Sequence, residues 1–505
     1  MLKRFLLLLL DLILFFTGFC LSISFKPNTL EYYIDHYPVP LIVFIISWSI
    51  SSIVIGKFVL TGKEFGPVLK RIVISNLVTL AIVTTIMFFF YSYSFSRIIV
   101  FGTIAFATVL EMITYGVWFL VKQSHEIKEM PLPTIRLRSS PPVIPQLEET
   151  GAKVDFERKK AIRRTIVNEL GLDVYAYISR AINLNVESTL IVSTTTRFNI
   201  DNQPSHFFNT IVNLKRVNDI RWINKFFESV NDKLPKGGLY VCMAETKDLR
   251  KRRILRKYPP VLNYIYYTFD YIIKRVMPKF NLTKGIYFFL TRGENRVLSR
   301  AELLGRLYSC GFEVLNEEFV GNHLYVICRK VKSPAYDMEA TYGPLIKLRR
   351  VGKNGKEIKI YKMRTMHPYA EYLQEYVYQK HNLQDGGKFK DDFRISTVGR
   401  IMRRLWIDEL PSLINLFRGD LKIVGVRPLS RHYFSLYTKD LQEKRVRYRP
   451  GLVPPFYVDN PKTLDEIMAS EHKYLDAYAK HPLWTDIKYL FVAAYNIIFK
   501  RYRSG

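Results

Sequence analysis

The chain has 505 residues, with 75 Lys plus Arg against 45 Asp plus Glu and a formal net charge of +30. At 48% hydrophobic and 14% aromatic residues it is too apolar for a disordered polycation, so the charge is carried on folded material and a histone-like tail is excluded. Its four cysteines, Cys20, Cys242, Cys310 and Cys328, form no C-x-x-C pair, which argues against a disulfide scaffold or a Cys-rich zinc site.

The long apolar runs come first. Phe5 to Ser24, Pro40 to Leu60, Ile72 to Tyr91 and Ile98 to Val121 each approach the roughly 20 residues that carry a helix across a ~30 Å hydrocarbon core, and predict a four-helix transmembrane bundle over residues 1–121. A cleaved signal peptide is the alternative for the first run, but that run is too long and no small-residue cleavage site follows. Lys3, Arg4, Lys57, Lys63, Lys70 and Arg71 crowd one side of the spans, against Lys26 and Arg97 on the other, so both ends of a multi-pass bundle are expected in the cytoplasm. Asp11 and Glu111 lie inside spans, where ionisable groups are costly, and the sequence identifies no partner for either.

Residues after Val121 carry a net charge of +27. Such a region is drawn to anionic lipid and to anionic substrates. Nucleic acid is the competing partner, but no nucleic-acid-binding motif accompanies the charge, so none is expected. Residues 122–157, with Pro131, Pro133, Pro141, Pro142 and Pro145, form a linker. Over 158–331 short apolar runs alternate with helical periods, which predicts an open, Rossmann-like α/β sheet. Its later part, with Lys236-Gly237-Gly238 entering a strand and Gly311-Phe312-Glu313 following a helix, resembles the back half of a class I methyltransferase. The first strand, however, runs into Ser193-Thr194-Thr195-Thr196 with no Gly-x-Gly-x-x-Gly turn, so a degenerate domain without nucleotide chemistry is expected. The aromatic, basic stretch from Tyr258 to Lys279 suits either a membrane interface or a core helix.

The chemistry is carried by residues 332–505. Pro411 belongs in the first turn of a helix, so Leu410 to Phe417 should be helical with Asp408 and Glu409 at its start. A lone Asp-Glu there is usually a cap. Here it sits among ordered blocks: Gly343-Pro344, Arg350-Val351-Gly352-Lys353-Asn354-Gly355, Ile360-Tyr361-Lys362-Met363-Arg364-Thr365-Met366, Asp392-Phe393-Arg394-Ile395-Ser396, Ile407-Asp408-Glu409-Leu410-Pro411, Gly425-Val426-Arg427-Pro428 and Arg449-Pro450-Gly451. With these residues the segment resembles the bacterial sugar transferase family, the polyprenyl-phosphate phosphoglycosyl transferases of the monotopic superfamily, and in its larger members a transmembrane bundle and a Rossmann-like domain precede the catalytic domain.

The resemblance implies a glycosyl-1-phosphate transferase of the bacterial inner membrane with its catalytic domain in the cytoplasm. It would move a phosphosugar from a nucleotide diphosphate sugar to a polyprenyl phosphate, beginning a capsule or exopolysaccharide. Carried over residue by residue, Asp408 would be the nucleophile and Glu409 a Mg²⁺ ligand. Lys362 and Arg364, alternate residues of an extended stretch, would converge on one anion. Arg403 and Arg427 would contact phosphate, while Arg400 and Arg404 would face the surface or lipid headgroups. A homo-oligomer is left open.

One feature of the family is missing. A long apolar re-entrant helix normally precedes Gly-Pro, whereas this chain has Lys332-Ser333-Pro334-Ala335-Tyr336-Asp337-Met338-Glu339-Ala340, which cannot enter a bilayer. The bundle, the Tyr258 to Lys279 stretch or the C-terminal amphipathic run Leu483 to Arg501 would then hold the site at the membrane. Alternatively, lipid access is lost and the chain is an inactive scaffold of a glycan-assembly complex.

Overall fold

The computed structural model describes residues 2–26, 30–58, 65–90, 96–126, 156–336, 343–380, 383–384, 388–389, 392–498 and 500. It divides into two compact units, Met1–Ile127 and Lys128–Gly505. Most of the expected linker, along with Tyr342 and Asp337 to Ala340, lies outside the described residues.

The first unit is helical: α1 (Leu2–Ile23), α2 (Leu30–His36), α3 (Pro38–Val54), α4 (Gly66–Phe89) and α5 (Arg97–Glu126). Within α1, α4 and α5, the segments Leu6–Ile23, Gly66–Phe89 and Arg97–Phe119 are long and apolar enough to cross a membrane. The second predicted span begins as expected at the prolines Pro38 and Pro40, but α3 ends at Val54, and α2 meets it at 93°, the geometry of a broken or re-entrant segment. Leu6, Ile13, Ile42, Ile50, Leu77 and Ile113 face outward. The interior holds Phe15, Phe19, Phe44 and Trp48 and, beside them, the charges the sequence left unexplained. Lys57 lies 3.0 Å from Asp11 and also pairs with Glu111, all three fully buried, with Asn76, Ser52 and the Trp48 indole supplying further hydrogen bonds. A polar interior and an apolar exterior are what a lipid solvent selects.

The second unit runs α6 (Phe156–Leu170), α7 (Leu172–Ala181), β1 (Thr189–Val192), α8 (Phe198–Asp201), β2 (Thr210–Arg216), α9 (Ile223–Lys233), β3 (Leu239–Ala244), α10 (Lys247–Lys257), α11 (Leu262–Tyr271), α12 (Asn281–Thr291), α13 (Arg300–Ser309), β4 (Phe312–Val320) and β5 (His323–Lys330). The sheet order is β1-β2-β3-β5-β4, with the first three strands parallel and β5 and β4 antiparallel to their neighbours. Strand alternation divides its core. Tyr240, Cys242 and Ala244 face α9 and α13, while Leu239, Val241 and Met243 face α6 and α7. All four cysteines are free thiols.

The chain continues as β6 (Leu345–Val351), β7 (Glu357–Met363), α14 (Gln374–Lys380), β8 (Leu383–Gln384), β9 (Lys388–Phe389), α15 (Thr397–Arg404), α16 (Leu413–Phe417), β10 (Lys422–Val424), α17 (Arg431–Ser435), α18 (Lys439–Arg447), β11 (Gly451–Val453), α19 (Phe456–Asp459), α20 (Leu464–Lys480) and α21 (Pro482–Ile498). This part is seated on the α/β core, since Leu373, Tyr376, Val377 and Phe393 join the cluster beneath α9 and α13. The seat is also ionic. Buried Glu302 on α13 pairs with Arg275 and, at 2.8 Å, with Arg306, while Arg275 reaches His367 Nδ1 at 3.3 Å. Desolvation works against the Glu302 carboxylate, but Arg275, Arg306 and Lys279 overcome it and hold that carboxyl below its usual range.

Candidate active site

β6 and β7 form an antiparallel hairpin whose register sets Ile346 opposite Lys362. The turn bearing the acidic pair is fastened to β7 by side chains. Asn415 accepts from the Tyr361 amide at 3.0 Å and donates to the Lys359 carbonyl at 2.8 Å, and Ser412 donates to the Tyr361 carbonyl at 2.8 Å. These bonds satisfy backbone groups on β7 where β6 does not reach. They also bring Lys362 Nζ to 2.7 Å from Glu409 Oε1. The acidic pair lies in a 3₁₀ turn, Ile407–Ser412, entered through Trp406 at φ 54°, rather than just ahead of a helix beginning at Leu410. At about three residues per turn, the two carboxylates point roughly 120° apart.

α15 is pressed against the end of the hairpin. A Cβ on Gly399 would stand 1.9 Å from the Thr365 carbonyl oxygen, so only glycine allows this approach. The approach lets Arg403 Nε donate to Thr365 Oγ1 at 2.9 Å. Opposite, β10 and β11 run parallel, with the Gly451 amide bonded to the Val426 carbonyl at 2.9 Å and the Gly425 amide to Val453. A Cβ on Gly451 would lie 2.1 Å from the Gly425 nitrogen, and this tight crossing turns the chain at Arg427-Pro428 toward the same space.

The result is an open cleft of about 440 Å³ lined by Lys362, Thr365, Arg403, Trp406, Asp408, Glu409, Arg427 and Tyr457, among others. Five cationic side chains border it, Arg350 and Arg404 being the other two, against the carboxylates of Asp408 and Glu409. Asp408 is half-buried, and desolvation, helped by the neighbouring Glu409 charge, raises its carboxyl above the ordinary aspartate range despite the opposing pull of Lys362 and Arg403.

Lys362, Arg403, Arg427, Asp408 and Glu409 thus meet in one cleft, but Arg364 does not join them. β7 ends at Met363, so the alternation expected to align Arg364 with Lys362 stops there, and the Arg364 Nε donates to the Gly343 carbonyl at 2.8 Å instead. Arg404 borders the cleft rather than only the surface, and Arg350, a motif residue given no role from sequence, is there too. Alternation along β6 puts Arg350 on the face of Ile346, which stands opposite Lys362, and that period was the signal in the sequence that could have raised it.

A mixed α/β module thus gathers an acidic pair and five cations in one cleft, an arrangement that complements an anionic ligand. Residues 328–500 match the model of the family described as bacterial sugar transferase. Over 144 residues it is 33% identical to the galactosyl transferase CpsE of Streptococcus agalactiae, covering 28% of this chain and 31% of that protein. It is 31% identical over 159 residues to the undecaprenyl-phosphate galactose phosphotransferase of Salmonella typhimurium, covering 30% and 32%. With the UDP-glucose:undecaprenyl-phosphate glucose-1-phosphate transferase of Caulobacter vibrioides it shares 31% identity over 167 residues, covering 30% and 56%. The chain therefore spans about a third to about half the length of these curated relatives.

Proposed function

We propose that this protein is a membrane glycosyl-1-phosphate transferase that moves a phosphosugar from a UDP-sugar to a polyprenyl phosphate, initiating an exopolysaccharide, capsule or related glycan. The observation that carries this reading is the cleft itself, in which an accessible aspartate stands among more cations than the two carboxylates can neutralise. A Asp408 carboxylate oxygen attacks the β-phosphorus of the donor. The bond from that phosphorus to the bridging oxygen breaks, UMP leaves, and an acyl phosphate bearing the sugar remains on Asp408. An oxygen of the polyprenyl phosphate then attacks the same phosphorus, releasing a polyprenyl diphosphate sugar and restoring the carboxylate. Lys362, Arg403 and Arg427 hold the phosphate oxygens, and their charge opposes the growing negative charge at phosphorus. The middle sheet fits a degenerate Rossmann-like module that seats the transferase part and performs no nucleotide chemistry.

A Mg²⁺ ion fits this donor set in a limited way. Among the described residues no three acidic, His or Cys side chains cluster to form a preformed cage. Glu409 can supply one oxygen if it exchanges Lys362 for the ion, with the diphosphate and water completing the shell. When bound, the ion would neutralise diphosphate charge.

The scaffold reading draws on the missing apolar run before Gly343. The full chain in membrane discs, given a panel of UDP-sugars, undecaprenyl phosphate and Mg²⁺, separates the two. The transferase reading expects a lipid-linked product and UMP with at least one donor, and neither product with any donor would leave the scaffold.

A further inference from the structure

α11 is built inside out, and α12 carries a second exposed apolar stripe. In α11 the residues turned inward are polar. Asp270, 6% exposed, is gripped by Arg250 through bonds of 2.6 and 2.8 Å, and Asn263, 7% exposed, donates to the Leu255 carbonyl. The same helix turns Leu262, Ile265 and Phe269 outward, the last 62% exposed, and Ile272 just beyond it is also exposed. α12 adds the second stripe. Tyr287 is fully buried, while Leu282 and Phe289 are 90% and 85% exposed and Ile286 and Leu290 lie on the same stripe. Leaving such side chains in water is costly, and a helix free to rotate would bury them and expose Asp270.

The surroundings say what covers this face. Arg256 and Lys257 are exposed at the end of α10, which packs on α11, and Lys284 and Arg292 are exposed on and just after α12. Tyr258, Tyr264 and Tyr266 add rings with polar tips, the residue type that settles at headgroup depth. Apolar stripes bordered by cations and tyrosines complement an anionic bilayer surface rather than a dry protein interface, whose core is depleted of charge. The chain also carries helices of membrane-crossing length, so a bilayer is at hand.

We propose that α11 and α12 are interfacial helices that seat the α/β module on an anionic lipid surface, their apolar side chains entering the headgroup–acyl boundary. This docking stands whether or not the reaction above is correct. It assigns the middle of the chain a membrane contact of its own, in a protein that has no apolar run directly before Gly343.

The test uses the full chain in discs containing phosphatidylglycerol. Spin labels are attached singly through Phe269→Cys, Leu282→Cys or Phe289→Cys in a Cys20→Ser background, with Phe198→Cys on α8, 69% exposed in the same unit, as the aqueous reference. The three labels are expected to relax several-fold faster with oxygen than with a water-soluble nickel chelate, and the reference label the reverse. Nickel accessibility equal to that of Phe198→Cys at all three positions would overturn the proposal. Protection from both reagents would overturn it as well, by showing a protein partner, such as a second copy of the chain, on this face.

Discussion

Two clusters of charge in the second unit, one around Glu302 and one around Asp408, use the same chemistry to opposite ends. Glu302 is fully buried, yet Arg275 and Arg306 pair with it directly and its carboxyl is held down. Asp408 is half-buried, has Lys362 and Arg403 in its neighbourhood, and is held up. Burial alone would rank them the other way. Direct pairing decides the outcome: the cations around Glu302 are committed to it, whereas Lys362 reaches Glu409 and Arg403 donates to Thr365, leaving Asp408 among charges arranged for something else. A structural cluster completes itself, and a candidate site leaves room for its ligand.

Substitutions at the two acids sharpen that contrast first. Asp408→Asn is expected to leave the fold intact and, on the proposed reaction, to lower transfer by at least about a thousandfold by removing the attacking oxygen, as measured by initial rates of lipid-linked product. Glu302→Gln should do the opposite, costing about 3–5 kcal/mol of stability by stranding two buried arginines, as read by denaturant unfolding of the second unit. Because the Glu302 carboxyl is held below its ordinary value of 4.5, its contribution is complete above pH 4.5 and is lost as pH falls through the folded value, so the variant should also flatten the acid side of the stability profile.

Much of the candidate site was legible in the chain because it is local. Asp408, Glu409 and Pro411 were read as neighbours at a helix start and lie together in one 3₁₀ turn, and Lys362 lies in the expected strand. Arg364 was misplaced because alternation holds only while a strand lasts, and β7 ends one residue earlier. The partner of Asp11 and Glu111 was hidden for another reason: Lys57 follows α3 in a short turn, and only tertiary packing folds it into the bundle. The apolar content of α11 could be read, but not its orientation, which is set by Arg250 on a different helix holding Asp270 inward.

The Lys57 cluster extends the comparison to the first unit. Lys57→Met should destabilise the detergent-solubilised protein by about 3–5 kcal/mol, because two buried carboxylates lose their cation; an unchanged unfolding midpoint would show that those groups are not paired there. Within the cleft, Arg403→Gln should reduce turnover by about a hundredfold with the fold retained, the order expected for one lost donor to a developing phosphate charge. The smallest effect is on pH dependence. In the proposed reaction Asp408 must be ionised to attack, so activity should fall on the acid side above the ordinary aspartate range. Lys362→Met removes a charge that lowers the Asp408 pKa and should move that limb to higher pH. Glu409→Gln removes one that raises it and should move the limb to lower pH.

The covalent role of Asp408 is tested most directly by incubating the full chain with a competent UDP-sugar and no lipid acceptor, then weighing the protein and its Asp408 peptide by mass spectrometry. The account predicts about one equivalent of UMP released and a phosphosugar added to that peptide, both absent in Asp408→Asn. UMP release that persists in Asp408→Asn, or a phosphosugar found on any other residue, would contradict it.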